Sequence, residues 1–167
     1  MEKSLRRLLL VLVTTYITLT YTDVLLAETE LTDHQHSHSQ DQHADSGLSL
    51  NQGEKWKTDA PLRQGMQSIN EAAMNAVPAY HNQTLTKMDG EKLAKDINEQ
   101  VNYLVANCKL EPAADATLHV LIGDLLTAAA EVNKNPLSQQ GLPDLIKALQ
   151  LYPDYFDHQG WTIETGE

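Results

Sequence analysis

The chain has 167 residues, a single cysteine, and 23 acidic against 12 basic side chains, for a net charge of −11. That balance lacks the clustered Lys and Arg that nucleic-acid backbones and anionic membrane surfaces require, so neither is an expected partner. The length suits one modest hydrophobic core and not two, and the lone thiol rules out an internal disulfide.

Residues 1–27 read as a signal peptide. "MEKSLRR" is a basic start, "LLLVLVTTYITLTY" is an apolar run short for a membrane span, and Ala27 offers a small residue for cleavage. An uncleaved anchor is the alternative, because Leu25 is large where a small residue is preferred. No cysteine follows the apolar run, so a lipid anchor is not indicated, and the expected location is periplasmic or secreted. The segment carries three basic and two acidic residues, so its removal takes the net charge from −11 to −12. Cations and basic protein surfaces suit such a chain best.

Residues 28–50 are polar and acidic, with no helical or strand period, and read as a disordered tail. The tail contains His34, His36, His38 and His43. Imidazoles at alternate positions bind Cu(II), Ni(II) or Zn(II) without any fold, and the competing reading is a merely solubilising segment.

Residues 51–162 carry four helical signals. In the first, Asp59 is a candidate cap and Pro61 suits the first turn; a stripe follows at Leu62, Met66, Ile69, Ala73, Val77 and Tyr80, with Pro78 expected to kink or end the helix. The second is capped by Asp89 and runs through Leu93, Ile97, Val101 and Leu104 to Cys108. Pro112 opens the third, with Leu118, Ile122, Leu125, Ala129 and Val132 before "NKNP" ends it. The fourth carries Leu142, Ile146, Leu149, Tyr152 and Phe156, restricted by Pro143 and Pro153. No strand alternation intervenes. Four amphipathic segments with short connections predict an all-α, up-down-up-down antiparallel four-helix bundle.

This topology gathers unusual side chains. The starts of helices one and three and the ends of helices two and four share one end of the bundle. Met66, Cys108, His119 and His158 therefore converge there as candidate metal ligands, with Trp56 and Trp161 just outside. A thiol, a thioether and two imidazoles suit a soft or borderline metal, copper first and zinc second. Asp115 and Asp154 each precede a histidine by four residues and could orient its ring. The structural alternative for each residue is plain: Met66 and Cys108 fill apolar stripes, and a continuous helix would point His158 away from Tyr152 and Phe156. Only a break near Pro153 turns it inward. His81, near the far end of helix one, belongs to no cluster and reads as a surface or capping residue.

The segments "WKTDAPLRQGMQSI" (56–69), "ADATLH" (114–119) and "YPDYFDHQGW" (152–161) resemble a family of small, largely uncharacterised exported bacterial helical proteins, some of them beside heavy-metal resistance systems. The resemblance covers most of the chain after Leu50 and implies a metal-related role, with a metal-transport or resistance protein as partner. It includes Met66, His119 and His158, while Cys108 lies between the matching blocks. A weaker similarity is to exported four-helix cytochromes of the b type, which ligate haem through a methionine early in helix one and a histidine late in helix four. Met66 and His158 stand in comparable places. There is no C-x-x-C-H, and the single Phe offers little lining for a haem pocket.

The leading expectation is a non-catalytic exported protein that binds copper or a related metal for buffering, delivery or tolerance. Haem binding or electron transfer is one alternative, and a structural or interaction module without cofactor is another. No phosphate loop, catalytic carboxylate pair or nucleophile–base arrangement is legible, so an enzyme is not expected.

Overall fold

A computed structural model describes residues 47–163. The signal segment 1–27 and the four tail histidines lie outside the described residues. The element order is β1 (Trp56–Lys57), α1 (Ala60–His81), α2 (Lys87–Asn107), α3 (Pro112–Lys134), α4 (Leu142–Tyr155) and β2 (Phe156–Asp157). Each helix packs on its neighbour in sequence, and α4 closes the ring against α1. The result is the expected antiparallel four-helix bundle.

The helices form where the apolar stripes lie. Leu62, Met66, Ile69 and Ala73 of α1 are fully buried, and so are Ile97 and Leu104 of α2, Leu121 and Leu125 of α3, and Leu145 and Leu149 of α4. Among the described helices, only α3 is long and apolar enough to cross a membrane by length and composition. Its Leu118, Leu121, Ile122 and Leu125 pack into the bundle core, which accounts for that composition.

Local chemistry sets the helix ends. Asp59 caps α1, its carboxylate accepting from Leu62 N at 2.8 Å. The other oxygen of Asp59 accepts from Lys109 N at 2.7 Å, tying the start of α1 to the loop after α2. At α2 the cap is Thr86 and not Asp89. Asp89 sits three residues in and completes a capping box, its carboxylate accepting from Thr86 N at 3.0 Å. The box holds the Asp89 carboxyl below its ordinary range through its hydrogen bonds with Thr86. Pro78 does not end α1 but falls in its last turn, and the helix continues to His81. There its missing N–H removes one hydrogen bond from a turn that is about to end.

Two features have no counterpart in the periodicity. First, β1 and β2 pair in parallel, Trp56 opposite Phe156 and Lys57 opposite Asp157. Strands of two residues carry no readable alternation. Their pairing brings the entry to α1 beside the exit from α4, and Thr58 Oγ1 reinforces it by donating to Asp157 O at 2.8 Å. Second, residues 47–50, placed in the tail by composition, lie on the bundle. Leu48 is buried, Ser49 Oγ stands 3.2 Å from Thr117 Oγ1, and Trp56 Nε1 donates to Ser49 O.

Candidate functional site

The end of the bundle where α1 and α3 begin and α2 and α4 finish is built around Tyr152. Its side chain is fully buried, stacked on Phe156 with ring centroids 5.3 Å apart and edge-on to Trp161 at 4.8 Å. Helix α4 stops at Tyr155, two residues after Pro153, and Phe156 is extended. The break lets His158 fold back, so that His158 Nδ1 lies 3.1 Å from Tyr152 Oη and its ring leans on Trp161. The inward turn needed for His158 therefore occurs, and the group that orients its ring is the Tyr152 phenol rather than the Asp154 carboxylate. Burial, followed by the positive charge of Arg63, lowers the His158 pKa below 6.5. Burial likewise pushes the Tyr152 phenol upward, aided by Cys108 and Asp59 and opposed by Arg63.

Cys108 is the C-cap of α2 and half-buried, a free thiol. Burial is the main cause that pushes its pKa up to about 11, with the charges of Asp59 and Asp115 and a hydrogen bond to Asp59 adding to it. At neutral pH this residue is a thiol held against a carboxylate. Met66 is fully buried on the core side of the same end. Its neighbour Gly65 lies against Leu104, so close that a Cβ there would stand 2.5 Å from a Leu104 methyl. This sets Met66 at the depth of the last turn of α2, one turn in from Cys108.

His119 departs from the expected convergence. Its side chain is 56% exposed, whereas Met66 is sealed in the core. The ring is held by its own helix, with Nδ1 2.9 Å from Asp115 O and 3.4 Å from the Asp115 carboxylate. Asp115 thus links His119 to the Cys108 neighbourhood electrostatically, but the imidazole faces water. His81 closes α1 as an exposed residue, as expected.

Among the described residues no group of three or more His, Cys, Asp and Glu side chains is arranged to hold a metal ion. The end around Tyr152 offers one thiol, one imidazole and, behind them, one thioether. It also holds a buried donor and a buried acceptor without partners, Trp161 Nε1 and Asn70 Oδ1. The same Asn70 donates through Nδ2 to Thr162 O at 2.8 Å, pinning the chain after His158 to α1. Sequence reasoning missed Asp59, Arg63 and Tyr152 as parts of this end. Asp59 was readable as a cap and Tyr152 as part of an apolar stripe, and neither pattern carries a functional signal.

Two grooves lie elsewhere on the bundle. A groove of about 550 Å³ between α3 and α4 is edged by Asp124, Glu131, Asp144 and Lys147, and one of about 430 Å³ between α1 and α2 by Glu71, Asp89, Lys92 and Asp96.

No protein-family model, curated protein or solved structure matches this chain. The functional reading therefore rests on its own residues.

Proposed function

We propose that the chain is an exported, non-catalytic protein that binds copper or a related heavy metal for buffering, delivery or tolerance. The tail histidines His34, His36, His38 and His43 capture metal, and the bundle end holds it with sulfur. One observation supports the second half: His158 Nδ1 lies 3.1 Å from the buried Tyr152 phenol, at the end of the bundle where α2 finishes in Cys108 and Met66 is buried in the core.

The donor set favours Cu(I). Thiolate and thioether sulfur select it, and it accepts the low coordination that one Cys, one His and one Met supply, whereas zinc prefers four ligands. Cys108 would ligate as thiolate, releasing its proton; Asp59, already hydrogen-bonded to it, is the nearest acceptor. His158 would ligate through Nε2 in the tautomer whose Nδ1–H donates to Tyr152 Oη, so the phenol fixes the ring as orienting groups do in metal sites. His119 stands outside this set.

The test is a Cu(I) titration of the untagged protein against a competing chelator. One tight equivalent is expected to disappear in Cys108→Ser and to weaken by about tenfold or more in His158→Ala, while persisting when residues 28–46 are deleted. Loss of all tight binding on that deletion would exclude the bundle site. A Soret band in protein expressed with adequate haem would favour the cytochrome-like reading instead.

A further inference from the structure

We propose that the groove between α3 and α4 is a docking surface for a basic amphipathic helix of a partner protein. The inference stands apart from the metal-binding reading and uses none of its ligands.

Small residues at facing positions make the groove. Asp124, Thr127, Ala128 and Glu131 line it from α3, and Asp144, Lys147, Ala148 and Leu151 from α4. The spacing is i, i+3, i+4, i+7 on both helices, which is one continuous helix face. Ala128 and Ala148 are buried and form the floor, with Leu151 half-buried beside them. Each alanine offers the seam no more than a methyl group. The furrow that two packed helices leave on their outer side is therefore deepened here, to about 550 Å³. The lining runs from 124 to 131 and from 144 to 151, about 10 Å or two turns of helix. A floor of that length and apolar character suits a helix laid into it, held by a few small or aliphatic anchors.

Charge selects the occupant. Because α3 and α4 run antiparallel, Glu131 and Asp144 both lie at the end next to the connecting loop, and Asp124 lies at the other end with Leu151. Carboxylates thus stand at both ends of an apolar floor. Among the described residues, Asp124, Asp144 and Lys147 are exposed and make no ion pair, while Glu131 meets the exposed Lys134 at 3.5 Å. The groove between α1 and α2 has a similar rim, but its charges are already engaged. Lys92 pairs with Asp96 at 2.6 Å, Asp89 belongs to the α2 capping box, and Glu71 accepts from Gln67 Nε2 at 3.1 Å. Of the two, the α3–α4 rim has carboxylates free for a partner. Lys or Arg at each end of the incoming apolar stripe meets them, and an uncharged position faces Lys147 between. A contact this small between exposed charges is transient and weakens with salt.

The probe is a capped synthetic helix of about 18 residues, with leucine and alanine on one face and lysines flanking it at both ends. Its counterpart has glutamate for every lysine. Binding is read by anisotropy of a fluorescent label and mapped by amide shifts in the isotope-labelled protein. Saturable binding of the lysine helix is expected, absent for the glutamate helix, with shifts centred on residues 124–131 and 144–151. Asp124→Asn with Glu131→Gln should weaken it by about tenfold, whereas Glu71→Gln with Asp96→Asn, an equal loss of charge at the other groove, should leave it nearly unchanged. Thr127→Phe fills the groove from an exposed position without altering charge, and should weaken binding by about tenfold while the melting temperature holds. Equal weakening by the two neutralised pairs, or parent-like binding in Thr127→Phe, means attraction by net charge alone and overturns the docking surface. Shifts centred on the α1–α2 groove overturn it as well.

Discussion

At the residue scale, the two groups that give the bundle end its character are both held in their uncharged forms. His158 has a pKa lowered by burial and by Arg63. A folded-state value below the unfolded one means that the unfolded chain takes up the proton first. Its contribution to stability is then complete above about 6.5 and is lost as pH falls through the folded value. Thermal unfolding of the parent protein should therefore lose more between pH 7 and pH 5 than that of His158→Gln, which has no ring to charge. Equal slopes would show that His158 is not buried as described. Cys108 titrates at about 11 against an ordinary 9.0, which lowers its thiolate fraction at neutral pH about a hundredfold. Maleimide labelling at pH 7.5 should be slower than that of a free thiol by that order, and Asp59→Asn should speed it by removing a charge and the hydrogen bond's anionic acceptor. Cys108 is legible in the sequence only as the last residue of a stripe. The carboxylate that adds to the effect of burial lies 49 positions earlier and is readable only as a helix cap.

At the element scale, burial repeats with the helical period, so the stripes of all four helices are legible, and with them the antiparallel bundle. What escaped is what periodicity does not encode. The cap of α2 is the case in point: Asp89 has the right chemistry, but Thr86 has the right position, and the two form one reciprocal unit. Thr86→Ala should cost about 1 kcal/mol, read from the urea midpoint. The β1–β2 pair is invisible for the same reason, two residues being too few to alternate. Helix spacing carries a sharper prediction. Gly65 lets α1 approach α2 at Leu104, and Leu104 is itself fully buried. Gly65→Ala gains about 1 kcal/mol of helix propensity and loses about 1–3 to overpacking, so a net loss of up to about 2 kcal/mol is expected. The loss should shrink in a Leu104→Ala background, which identifies the contact as its cause.

On the scale of the whole molecule, the two ends of the described chain contribute unequally. The N-terminal strap, Gly47 to Leu50, meets α3 through Gly47 and Ser49 and buries Leu48. The C-terminal strap, His158 to Ile163, covers Tyr152 with Trp161 and His158 and is pinned to α1 by Asn70. Deleting residues 1–46 leaves the N-terminal strap whole and should move the melting temperature by less than about 2 °C in metal-free buffer. Ending the chain at Asp157 is a different matter. It strips the indole and imidazole from the Tyr152 ring and removes the hydrogen-bond partner of a buried phenol. It also leaves the Asn70 amide, already short of one partner, without its remaining bond. Lost aromatic contact and unpaired buried polar groups together come to about 3 kcal/mol, or roughly 10 °C for a domain of this size. A melting temperature that survives this truncation while falling on removal of residues 1–50 would place the stabilising strap at the other end. The Cu(I) reading would fall with it, because its imidazole is held by the strap that the core would then not need.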